Sequence, residues 1–125
     1  MGLFGGARPR TEKQLSGDAG ERQALQYLER HGMTQVERNF RCKAGEIDLI
    51  MQDKACLVFV EVRKRAMGAE RFGGAAASIT PAKQRRLILA AQLYLKRYAD
   101  PPACRFDVIA IDGETLNWLK NAIDA

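Results

Sequence analysis

Apolar positions along the chain repeat with two different periods. Ala24, Leu25 and Leu28 fall at helical spacing, and Gly32 follows a basic last turn, so the pattern predicts a first helix from about Ser16 to His31. Residues 34 to 41 fit a short strand, and the runs 46 to 52 and 56 to 63 are apolar and β-branched around Gln52-Asp53-Lys54-Ala55, which predicts a β-hairpin. Thr80-Pro81 supplies a helix cap followed by proline at the first helical position. Leu87, Ile88, Ala91, Tyr94 and Leu95 then mark the apolar face of a second helix that ends near Tyr98. Pro101-Pro102 breaks the chain, Cys104 to Ile111 reads as a buried strand, and Asp112-Gly113 turns it into a short strand over Leu116 to Leu119. The order α-β-β-β-α-β with a small tail puts the chain in the α/β class. Residues 1 to 15 lack an apolar period and read as a flexible N-terminal arm, leaving 16 to 125 as one domain. The stretch from Ala66 to Ser78, rich in glycine and alanine, is long for a connection in so small a domain.

Composition narrows the chemistry. The 125 residues hold 20 lysines and arginines against 15 acids, a net charge of +5 that favours a polyanionic partner. No long apolar run predicts a membrane span, and the N-terminus lacks the apolar stretch of a secretory signal. Cys42, Cys56 and Cys104 are odd in number and widely spaced, so no disulfide framework or zinc knuckle is signalled, and a cytoplasmic setting is expected. His31 is the only histidine, which confines the search for catalytic groups to carboxylates, lysines and arginines.

Three carboxylates then stand out of place. Glu21 points from the same side of the first helix as Ala24, Leu25 and Leu28, although a position in the first turn, near the positive end of the helix dipole, would explain it simply. If the hairpin turns between Asp53 and Ala55, Asp48 faces Glu61 as Ile50 faces Phe59, and two acids share one face of the sheet. Opposed like charges with Cβ atoms about 5 Å apart weaken a sheet unless a proton or cation lies between them. Oxygen donors without histidine or thiolate suit Mg²⁺ or Mn²⁺. Arg63, on the same strand face as Glu61, begins the basic run Arg63-Lys64-Arg65 and could grip a phosphate or merely neutralise the acids. Lys83, Arg85, Arg86, Lys96 and Arg97 make the second helix basic, as a solvated face or as a surface that tracks phosphates. Glu46 is a weaker candidate beside Asp48, and Asp107, Tyr94 and Trp118 read as structural.

The segments Gly20-Glu21 with Ala24 and Leu28, Gly45-Glu46-Ile47-Asp48-Leu49-Ile50, Val58-Phe59-Val60-Glu61-Val62-Arg63 and Arg105-Phe106-Asp107-Val108 resemble the YraN family of bacterial proteins over about residues 16 to 119. That family is similar to the restriction-endonuclease-like PD-(D/E)xK nucleases and to archaeal Holliday junction resolvases. The resemblance implies a mixed β-sheet flanked by helices. It also implies a site in which Asp48 is the metal-binding aspartate, Glu61 the second motif acid and Glu21 the additional acid on the first helix. Arg63 stands where the motif has lysine; it cannot lose a proton at working pH, so a general-base role is closed to it and electrostatic stabilisation remains. Lys83 is a candidate substitute. The expected activity is Mg²⁺- or Mn²⁺-dependent cleavage of DNA, branched or otherwise structured, with Asp48, Glu61 and Arg63 catalytic and Arg63, Lys64, Arg65, Lys83 and Arg86 on nucleic acid. A homodimer would suit a branched substrate. A non-catalytic nucleic-acid-binding module on the same fold, or an interaction protein that docks through residues 66 to 78, are the rival readings.

Overall fold

Nine residues, Thr34–Cys42, exposed or half-buried throughout, form β1, which turns through Lys43-Ala44 into β2, Gly45–Asp53. A second two-residue turn, with Lys54 in the left-handed region at φ 56°, leads into β3, Cys56–Arg65. A computed structural model describes residues 12–65 and 76–123 of the chain. The first helix, α1, spans Glu12–Arg30, and the second, α2, spans Pro81–Leu95 after a 3-10 turn at Ala76–Ser78. Strands β4, Cys104–Asp112, and β5, Thr115–Leu119, complete one sheet in the order β1-β2-β3-β4-β5. Neighbours are antiparallel except β3 and β4, which run parallel because α2 carries the chain across between them. This is the mixed sheet flanked by helices that the sequence implied.

One difference from the sequence pattern has a physical cause. Helix α1 begins at Glu12, so residues 12 to 15 belong to it and not to an arm. Ser16, Gly17 and Gly20 lower helix propensity there by up to about 1 kcal/mol each and disguise the start, but packing farther along the helix outweighs local preference. The short strand expected after the Asp112-Gly113 turn is β5, paired with β4 from Asp112 and Thr115 to Val108 and Leu119. The rest of the expected arm, residues 1–11, and most of the connection from 66 to 78, residues 66–75, lie outside the described residues.

The central strand β3 is buried on both faces, and its side chains divide between two cores. Val58 and Val60 pack with Leu49, Met51, Ile109 and Ile111 beneath Ala24, Leu25 and Leu28 of α1. Leu57 and Phe59 pack with Ile47, Ile50, Phe106 and Val108 beneath Leu87, Ala90, Ala91 and Tyr94 of α2. A continuous apolar run in a strand covered by helices on both sides follows from this arrangement.

Asp107, fully buried in β4, is the one charged residue of the core among the described residues. Its carboxylate accepts from Arg105 Nε and Nη2 at 3.0 and 3.2 Å, from Trp118 Nε1 at 2.9 Å and from the Asn121 backbone N–H at 2.9 Å. Arg105 reaches Asp53 at 3.0 Å as well, so one buried acid ties the β2–β3 turn, β4, β5 and the chain after it together. The structural reading of Asp107 holds.

Candidate functional site

The site lies where the β2–β3 ladder ends. Pairing runs in register from Asp53 and Cys56 to Leu49 and Val60, and the next partners would be Asp48 and Glu61. Here the two-residue alternation breaks: Ile47 and Leu49, which would share a face in a regular strand, enter opposite cores. The Asp48 side chain turns toward β3 and accepts the Val62 N–H through Oδ2 at 2.8 Å. A carboxylate thus takes a place a carbonyl would hold in the ladder.

Glu61 is hydrogen-bonded to Asp48, and the two acids are mostly buried. Burial, then the charge of Glu61, pushes the Asp48 carboxyl up to about 8. Burial likewise raises Glu61, against the opposing effect of its bond to Asp48 and of the nearby charges of Arg63 and Lys83. Burial opposes the ionisation of both acids and the charge of Glu61 opposes that of Asp48, so the site favours binding one proton between them. Glu21 reaches the same place from α1, and burial followed by the charge of Asp48 lifts it to about 7. Because α1 begins at Glu12, Glu21 sits well inside the helix, and the simple reading of a first-turn acid beside the helix dipole falls.

These acids line one cavity of about 630 Å³ together with Glu46 and with five cations, Arg63, Lys64, Arg65, Lys83 and Arg86. Glu21, Asp48, Glu61 and these five cations thus line one cavity, whereas Arg85, Lys96 and Arg97 of the basic second helix do not, and Arg97 pairs with Glu37 at 3.4 Å. The cations differ in how they are held. Arg63 donates through Nε to Ser78 Oγ at 2.9 Å and approaches Glu61 Oε2 through Nη1 at 3.7 Å. The Lys64 stem lies over Gly20 of α1, where an added Cβ would stand 3.3 Å from Lys64 Cδ and 3.4 Å from its Cβ. Arg65 and Arg86 are exposed at the rim. Lys83 is partly exposed; burial, then the charge of Arg63, holds its ammonium below the usual range.

Three contributors escaped the sequence reading. Asn39, in the left-handed region at φ 53°, donates its amide to Glu21 Oε1 at 3.0 Å and Glu46 Oε2 at 3.1 Å in the orientation that suits both acids. Arg38 lowers the Glu21 carboxyl by its charge and buries its own Nε without a hydrogen-bond partner. Ser78 anchors Arg63. The one local signal was the polar run Glu37-Arg38-Asn39 within a strand, which alternation alone assigns to solvent.

As donors, Asp48 and Glu61 offer hard oxygens of the kind that suit Mg²⁺ or Mn²⁺, and the proton they share is what such a cation would displace. Among the described residues no three histidine, cysteine, aspartate or glutamate side chains already stand in a metal-holding group. Glu21 and Glu46 reach the pair through their charge. No helix among the described residues is long and apolar enough to cross a membrane.

Residues 20–111 match the model of the uncharacterised protein family UPF0102. The chain is 66% identical over 118 residues to a UPF0102 protein of Janthinobacterium sp. (strain Marseille), covering 94% of each chain. It is 64% identical over 118 residues to one of Herminiimonas arsenicoxydans, again 94% of each. A UPF0102 protein of Ralstonia pickettii (strain 12J) is 59% identical over 117 residues, spanning 91% of this chain and 94% of its own. The matched span contains Glu21, Asp48, Glu61 and the five cations of the cavity, and the chain belongs to the UPF0102 family, the YraN family that its segments resembled.

Proposed function

We propose that this protein is a divalent-metal-dependent nuclease that cleaves DNA. The observation that carries the reading is the mostly buried pair of Asp48 and Glu61 where the β2–β3 ladder ends, lining a cavity with five cations. Burying two carboxylates against each other at the end of a ladder costs stability, and a bound cation would offset that cost. Asp48 and Glu61 would hold Mg²⁺ or Mn²⁺, with Glu21 adding charge from α1. The bound ion would supply a water of lowered pKa and would stabilise charge on the phosphate. Arg63, Lys64, Arg65, Lys83 and Arg86 meet the phosphates, and the net charge of +5 favours association with a polyanion. The resemblance to junction resolvases makes branched DNA the first substrate to try, and a two-fold dimer would serve its two strands.

Titration calorimetry with Mn²⁺ and Mg²⁺ on the wild type, Asp48→Asn and Glu61→Gln, beside cleavage assays on linear and four-way-junction DNA, tests this. Metal binding and cleavage by the wild type, both lost in the two variants, are expected. Arg63, which cannot act as a base and is bonded to Ser78, favours a second reading, a metal-free nucleic-acid-binding module. DNA binding by wild type and both variants alike, without metal uptake or cleavage, would replace the first reading with the second.

A further inference from the structure

Among the described residues, the cations of the cavity are held in different ways, and besides Arg63 it is Lys83 whose charge acts on Glu61. Arg63 is committed: its Nε is bonded to Ser78 Oγ at 2.9 Å and its Nη1 lies 3.7 Å from Glu61. The Lys64 stem is laid against Gly20 on the α1 side of the sheet. Arg65 and Arg86 stand exposed at the rim. Lys83 lines the cavity from the α2 side, close enough for its charge to act on Glu61, and its ammonium makes no hydrogen bond or ion pair among the described residues. Its backbone is fixed: the Lys83 N–H donates to the cap Thr80 Oγ1 at 3.2 Å, and Pro81 opens the helix. Ser78, which Arg63 grips, lies two residues before that cap, so Arg63 ties the strand bearing Glu61 to the start of the helix bearing Lys83.

We propose that Lys83, delivered from the first turn of α2, is the catalytic cation that contacts the scissile phosphate, and that Arg63 is a positioning residue bracing Glu61 against the entry to α2. The inference rests on the nuclease reading and divides labour within it. A compact ammonium on a flexible stem can follow a phosphate as charge develops there, whereas a guanidinium hydrogen-bonded to Ser78 and ion-paired with Glu61 is held in one orientation.

The test compares Lys83→Ala, Lys83→Arg, Arg63→Gln and Arg63→Lys with the wild type in three measurements. These are kcat and KM for DNA cleavage, Mn²⁺ affinity by calorimetry, and affinity for an uncleaved duplex in Ca²⁺. Lys83→Ala is expected to lower kcat by roughly 10²- to 10³-fold, the usual loss on deleting one group that stabilises transition-state charge. Its Mn²⁺ affinity should stay near wild type, its duplex affinity should fall only by the loss of one phosphate contact, far less than kcat, and Lys83→Arg should recover much of the rate. Arg63→Gln is expected to weaken Mn²⁺ binding, because it releases Glu61, and Arg63→Lys to leave kcat no higher than wild type. Cleavage by the wild type that survives Lys83→Ala, or a kcat raised by Arg63→Lys, overturns this assignment while the nuclease reading stands. A wild type that binds DNA and cuts none of the substrates overturns the nuclease reading itself, and this inference with it.

Discussion

Asp48 concentrates what is unusual about this protein at the scale of one residue. Its carboxyl is raised from 3.8 to about 8, so between those values the folded state binds a proton that the unfolded chain does not. Stability therefore falls as pH rises through that window. Thermal unfolding of the metal-free protein from pH 5 to pH 9 should show a declining Tm, and Asp48→Asn should flatten most of the decline, with the remainder due to Glu21, which is raised to about 7. A Tm that climbs over this range would refute the shared-proton description of the site. The two acids were legible beforehand because charges at apolar positions of a two-residue period are conspicuous. Asn39 and Ser78 were not, because a short polar side chain in a strand or turn carries no sign of the distant atom it will bind.

At the scale of elements, the site depends on how closely α1 lies on β3. Gly20 makes that approach possible: its missing side chain leaves room for Lys64 and Val62, the latter 3.9 Å from where a Cβ would be. Gly20→Leu should push the helix outward, cost about 1 to 3 kcal/mol by overpacking, and loosen Glu21 from Asp48. Urea denaturation reads the first effect, and a Glu21 carboxyl that titrates nearer to its ordinary value by NMR reads the second. Unchanged stability would mean that the helix docks without needing a small residue there. The types and order of the elements were readable from the two periods, since each reflects contacts a few residues apart. The start of α1 was not, because glycines inside a helix look like an end until packing on the sheet overrules them. Nor was the break in alternation at Asp48: periodicity assumes a regular strand, and this one changes faces where its ladder ends.

For the whole molecule, the net charge of +5 bears on the proposed association with DNA. If the rim cations track phosphates, DNA affinity should fall steeply between 50 and 200 mM salt, and replacing Arg65 and Arg86 together by glutamine should reduce the slope of log affinity against log salt by about 2, roughly one unit per lost phosphate contact. Fluorescence anisotropy against a labelled duplex measures this, and a slope untouched by the double substitution would place DNA elsewhere on the surface. The net charge of +5 was evident from composition, but composition cannot say that five of the cations surround four acids in one cavity. The amino-acid sequence by itself determined the α/β class, the order of helices and strands, the β2–β3 register and the acids that violate it, because all of these follow from neighbours along the chain. Tertiary structure alone decided that Glu21 joins Asp48 and Glu61, that Arg63 is held by Ser78, and that Lys83 lines the same cavity with no side-chain partner among the described residues. Those outcomes depend on two helices packing on opposite faces of one sheet and bringing their side chains to the same end, an arrangement of distant segments that no local period encodes.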